Sequence, residues 1–159
     1  MTQRIEYNKV APEGFRAMFG LESYLRKTDL EHSLLHLIKF RVSQLNGCAY
    51  CLDMHSKDAR ALGETEQRLY CLPAWRETSF FTDRERAALE WAEQLTLIAG
   101  NEVSDELYER VRKQFDEKEL VDLTLAVVAI NGWNRLSIGF AAEAGTYEVP
   151  AAAKHSTGE

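Results

Sequence analysis

Val42-Ser43-Gln44-Leu45-Asn46-Gly47-Cys48-Ala49-Tyr50-Cys51-Leu52-Asp53-Met54-His55 is the stretch that decides how this chain folds and points to its chemistry. It begins as the end of a helix whose apolar stripe is Leu34, Leu35, Ile38, Val42 and Leu45, breaks at Asn46-Gly47, and resumes as a second helix. Two helices joined by so tight a turn must fold back on one another. In the second helix Cys48, Cys51 and His55 stand at i, i+3 and i+7, so two thiols and an imidazole share one stripe. The first turn of a helix carries unpaired backbone N–H groups and the positive end of the dipole, and both favour a thiolate. Lowering a thiol pKa from about 8.5 to about 7 raises the thiolate fraction at neutral pH from roughly 3% to roughly 50%. The thiolate is the species that attacks a peroxide or a disulfide, and His55 is placed to take the Cys51 proton or steady its charge.

Outward from this stretch the apolar residues recur at helical spacing, and prolines occur only at Pro12, Pro73 and Pro150, so the chain reads as all-α. A first helix runs from about Pro12 to Arg26, with Phe15, Met18, Phe19 and Leu21 or Tyr24 turned inward. Thr28 or Asp29 caps the second, which extends to about Asn46, and the motif helix ends at Gly63. Thr65 caps a short helix to Tyr70 or Cys71, followed beyond Pro73 by an irregular aromatic stretch from Trp75 to Phe81. Thr82 with Glu85 makes a capping box for a helix to Ala99, with Leu89, Ala92, Leu95 and Ala99 as its inner stripe. Ser104 caps a helix to Gln114, and Asp116 with Glu119 opens the longest one, to about Ala142. That helix is apolar on nearly every side between Leu123 and Ile130, which predicts a central, buried position, and Gly132 within it predicts a kink or the close approach of a neighbour. The expected architecture is a compact single-domain bundle of about six to seven helices over residues 1–150, with a frayed tail at 151–159.

With 159 residues, 45% of them hydrophobic, the chain can bury a core without disulfides, so Cys48 and Cys51 are not needed as staples. A bridge between them closes so short a loop that it would contribute only about 2 kcal/mol. A net charge of −6 and the lack of a basic, aromatic-interleaved stripe argue against nucleic acid. No apolar run is long enough for a bilayer, and the amino terminus lacks a leader's apolar region, so the expectation is a cytoplasmic protein with no membrane partner.

Competing readings narrow the motif. Two buried cysteines can be close by accident, but His55 at helical spacing favours redox chemistry. Zinc bound by Cys48, Cys51, His55 and His36 would complete four ligands, yet finger spacing and a second CxxC pair are absent, and the expectation is no metal and no cofactor. His36 falls nearly opposite the core stripe of its helix, with Lys39, Phe40 and Ser43 as neighbours by phase. Its helix is nonetheless the nearest source of a further acid or base for the thiols. Cys71 reads as a small core residue, Tyr50 as packing, the Trp75–Phe81 aromatics as core or subunit contact, and His32 and His155 as without a role.

The run from Val42 to Cys51, followed by His55, resembles the alkylhydroperoxidase D and carboxymuconolactone decarboxylase superfamily, most strongly over residues 35–63. Residues 82–97 and Asn134-Arg135-Leu136 resemble a small peroxidase-like branch of it. The resemblance implies an all-helical fold, a trimer or hexamer, and a thiol-dependent, antioxidant peroxidase in which CxxC cycles between dithiol and disulfide. It gives Cys51 the role of peroxide-attacking thiol, Cys48 that of resolving thiol and His55 that of relay histidine. Well-known members carry a glutamate twelve residues before the first cysteine, where this chain has His36, expected to replace it in the relay. Partners so implied are a hydroperoxide substrate and an external dithiol reductant, lipoyl or thioredoxin-like. The family's other activity, decarboxylation of a muconolactone-type acid, is the alternative enzyme reading, and a non-catalytic zinc-binding or redox-sensing module is the alternative outside catalysis.

Overall fold

The computed structural model describes residues 2–150, so the tail expected at 151–159 and His155 lie outside the described residues. Eight α-helices and no strands occur among them: α1 (Tyr7–Val10), α2 (Pro12–Leu25), α3 (His32–Asn46), α4 (Ala49–Ala61), α5 (Glu66–Cys71), α6 (Asp83–Thr96), α7 (Asp105–Arg112) and α8 (Glu117–Gly139). Helix α3 lies at the centre, against α4, α6 and α8. Leu37, Ile38 and Val42 of α3 meet Ala88, Leu89 and Ala92 of α6 and Leu123, Ala126 and Ile130 of α8 in one buried cluster. Alanines at these contacts allow helices to approach closely, and each large apolar side chain removed from water contributes on the order of 1.5–3 kcal/mol.

Seven of the eight helices match the sequence reading, and the caps explain most of the agreement. Both capping boxes form: Thr82 and Glu85 satisfy each other's backbone N–H groups at the start of α6, as do Asp116 and Glu119 at α8. The start of α3 differs. Thr28 closes α2 instead, its hydroxyl donating to the Leu25 carbonyl at 2.8 Å, and α3 begins only at His32, preceded by Glu31 with no side-chain cap. The Glu31 carboxylate accepts from Arg84 at 3.0 Å and is therefore engaged elsewhere. Helix α1 has no signature in the sequence, because four residues without a side-chain cap are held by tertiary contacts, with the Tyr7 ring packed on Phe15 and Phe140.

Three packing expectations change. Ala99 is exposed because α6 ends at Thr96, leaving Leu89 and Ala92 as the buried part of its stripe. On α2 only Leu25 is fully buried, while Phe19 and Tyr24 stay exposed. Helix α8 is not buried on every side: Val121 and Val128 are more than half exposed, one helical face left to solvent. The close approach expected at Gly132 is present, since a Cβ there would lie 2.7 Å from Met18 Cε of α2. The aromatic stretch is better ordered than expected, with a 3-10 segment, Leu72–Glu77, and a Trp75 indole that donates to the buried Glu93 carboxylate at 2.9 Å. No helix among the described residues is long and apolar enough to cross a membrane.

Candidate active site

The thiols are set by the turn between α3 and α4. Gly47 adopts a left-handed conformation (φ +69°), its N–H bonds the Gln44 carbonyl at 3.2 Å, and the Cys48 N–H bonds the Ser43 carbonyl at 3.0 Å. This pair of bonds is the Schellman closure, which glycine enters without the Cβ clash other residues meet. Cys48 is left as the N-cap of α4, where its sulfur accepts the Cys51 N–H at 3.4 Å. Both cysteines are buried and both are free thiols. Hydrogen bonding from the Cys51 thiol, and then from the Cys51 backbone N–H, pulls Cys48 down to about 7 against the opposing effect of burial. Cys51 is pushed up, first because it donates to Cys48 and then by burial. Both shifts run toward a thiolate on Cys48 and a retained proton on Cys51. Alkylation of the reduced protein by iodoacetamide is accordingly expected to rise through a midpoint near pH 7, falling on the acid side as Cys48 takes up a proton. A midpoint at the ordinary thiol value, about 8.5, would show that the pair does not share a proton this way.

Helix α8 and α1 complete the surroundings, and no short motif discloses them. Fully buried Asn134 accepts from Asn46 Nδ2 at 2.8 Å and donates to the Ser43 hydroxyl at 3.0 Å, which in turn donates to the Lys39 carbonyl at 2.7 Å. Asn134 and Ser137 lie near the cysteine pair, and their polar groups favour its charged form. Tyr7 of α1 lies near Ser137 and the same thiols, and burial raises its phenol above the ordinary value. The available signal is the polar series Asn131, Asn134 and Ser137 at spacing three along an otherwise apolar helix.

The histidines form a second cluster. His36 of α3 and His55 of α4 lie with ring centroids 5.7 Å apart, and His36 Nδ1 is 4.0 Å from Asp58 Oδ2. His36 is thus half-buried between two helices, and Asp58, which no sequence motif marks, joins it. The sequence leads one to expect an imidazole at His36 that titrates near its ordinary value. Burial first, and the nearby Lys39 charge second, instead hold it down to about 4, and the same two causes hold the buried His55 well below its usual range. Both rings are neutral at neutral pH, with a lone pair free to accept. The Nδ1 atoms of both are buried without a hydrogen-bond partner. Lys39 is buried and ion-paired with Glu22. Cys71 is not a core residue: it is half-buried, with Gln67 Nε2 at 3.5 Å from its sulfur.

An all-helical bundle presenting a CxxC pair at a helix start, with an imidazole one turn on, defines a class of thiol-bearing helical proteins. Residues 12–94 match the carboxymuconolactone decarboxylase family, and the chain belongs to that family. It is 52% identical over 138 residues to the uncharacterized protein YdfG of Bacillus subtilis (strain 168), covering 87% of this chain and 94% of that one. Among solved structures it is similar to ATU0492 of Agrobacterium tumefaciens, a protein of unknown function described as a candidate antioxidant defence protein AhpD. The TM-score there is 0.88 at 42% identity, covering 92% of this chain and 100% of that chain. An uncharacterized peroxidase-related protein from Ralstonia eutropha JMP134, described as an alkylhydroperoxidase AhpD core, shares the fold with a TM-score of 0.77 at 20% identity, over 87% and 74% of the two chains.

Proposed function

We propose that this chain is a thiol-dependent peroxidase of the alkylhydroperoxidase D kind. The observation that carries the reading is the pair of buried free thiols at the start of α4, with the Cys51 N–H on the Cys48 sulfur at 3.4 Å and the buried His55 one turn further along the same helix. In this reading the Cys51 sulfur, relieved of its proton by His55, attacks the distal oxygen of a hydroperoxide. The O–O bond breaks, Cys51 becomes a sulfenic acid, and the departing alkoxide or hydroxide takes the proton back from His55, directly or through water. His36, next along the cluster, stands in the relay where related proteins use glutamate. The Cys48 thiolate then displaces hydroxide from the sulfenic sulfur, giving the disulfide, the hydroxide takes a proton from solvent to leave as water, and an external dithiol of lipoyl or thioredoxin type restores the pair. The resting charge on Cys48 favours a second assignment in which Cys48 attacks and Cys51 resolves, with the same disulfide as product. The exposed Val121 and Val128 face of α8 offers apolar surface for the proposed trimer or hexamer, and a cytoplasmic setting would keep the pair reduced between turnovers.

One equivalent of an alkyl hydroperoxide added to the reduced protein is expected to give a Cys48–Cys51 disulfide, read by mass spectrometry as a loss of two hydrogens within the peptide that holds both residues. Peroxide left unconsumed, with both thiols still alkylatable, would remove the proposal. Decarboxylation of a muconolactone-type acid by a Cys48→Ser/Cys51→Ser protein would put the family's other chemistry in its place.

A further inference from the structure

We infer that His36, His55 and Asp58 form a binding site for a zinc ion that takes no thiol ligand; it shares both histidines with the proposed relay, so an ion bound there would hold the relay idle. One donor atom from each of the three lies within 4.8 Å of the other two. His55 and Asp58 share a face of α4 at i and i+3, and His36 reaches them from α3, so the site rests on two packed helices rather than on a loop. The set differs from the thiol-containing one suggested by the sequence alone, because Asp58 takes the place of both sulfurs.

Two independent features point to a ligand between these groups. The first is the pair of orphaned Nδ1 atoms, one on a His55 side chain that is only 5% exposed. Leaving a buried polar atom without a partner is unfavourable, and a cation between the two rings and Asp58 gives such an atom a partner. The second is the support behind the carboxylate. The Tyr147 hydroxyl donates to Asp58 Oδ1 at 2.6 Å, leaving Oδ2, the oxygen that faces His36 Nδ1, free. Tyr147 is itself held, since its carbonyl accepts from Lys57 at 2.9 Å. An oriented carboxylate backed by a hydrogen-bond donor is the usual outer shell of a metal ligand.

Two imidazoles and one carboxylate suit zinc. Zinc bonds of about 2.0–2.1 Å place tetrahedral donors about 3.3 Å apart, so the present spacing closes by side-chain rotation of about an ångström. Three protein ligands leave a fourth position for water or an exogenous donor. Lys39, whose charge reaches both rings, is paired with Glu22, and that carboxylate offsets part of its repulsion of the ion.

Because a CxxC pair also binds zinc, the test uses the full chain carrying Cys48→Ser and Cys51→Ser, which has no redox centre and makes the result independent of the peroxidase reading. Titration of this protein with zinc against a chromophoric chelator is expected to show one equivalent bound. Adding Asp58→Asn or His36→Ala is expected to abolish it, and Tyr147→Phe to weaken it about tenfold. Circular dichroism and thermal melting show whether each variant is folded, and the nearly isosteric Asp58→Asn decides the matter if His36→Ala does not fold. The inference is overturned if the double-serine protein binds no zinc while the reduced wild type does, which places the ion on the thiols. It is equally overturned if Asp58→Asn binds as tightly as its parent.

Discussion

Cys51→Ser is expected to lower peroxide turnover by roughly three orders of magnitude, whereas Cys48→Ser should still consume one equivalent of peroxide and then stop. The difference follows from the two roles. In the Cys51→Ser protein no sulfur remains at the attacking position, and serine's hydroxyl is not ionised at neutral pH. In the Cys48→Ser protein the attack still occurs, but nothing closes the disulfide, and a sulfenic acid accumulates on Cys51 where a dimedone-type probe can trap it. Replacing Cys48 also exchanges a charged sulfur for a neutral hydroxyl, so the Cys51 thiol is pushed up less. Rapid-mixing kinetics with hydroperoxide, followed by mapping of the trapped site, separate the assignments. Sulfenic acid found on Cys48 in the Cys51→Ser protein, formed at the wild-type rate, would transfer the attacking role to Cys48.

Glu22→Leu should cost about 3–5 kcal/mol of stability, or roughly 10 °C in Tm for a chain of this size. Lys39 is 6% exposed, and its counterion Glu22 also accepts from the Trp133 indole at 3.1 Å. Removing the carboxylate strands a buried ammonium and an indole N–H together. The penalty comes from the stranded charge rather than from the worth of the ion pair, so Glu22→Leu/Lys39→Met should recover most of the loss. Urea denaturation of the two proteins measures this. A single-variant loss below about 1 kcal/mol would mean that water reaches Lys39 and that the pair behaves as a surface one.

The parts of the fold and site that are legible in the chain are those governed by neighbours a few residues apart. Thr82-Glu85 and Asp116-Glu119 announce α6 and α8 because a capping box is complete within four residues. Gly47 announces the end of α3 because the Schellman closure spans only residues 43–48. Misreadings fall where a distant partner claims a local signal. Glu31 is engaged by Arg84, and Tyr7 is held in α1 by Phe140.

By itself the sequence determined an all-α bundle, the break between α3 and α4, and two cysteines carried onto the start of one helix, all consequences of helical periodicity and capping. Tertiary structure alone supplied the polar surroundings of the thiols, because Asn134 arrives from α8 and its link to Ser43 spans 91 residues. It alone decided that both histidines stay neutral and converge on Asp58, because burial and the field of Lys39 exist only once α3 and α4 are packed. Desolvation and long-range hydrogen bonds have no sequence period to betray them, and they set the chemistry of groups that short-range rules had already put in place.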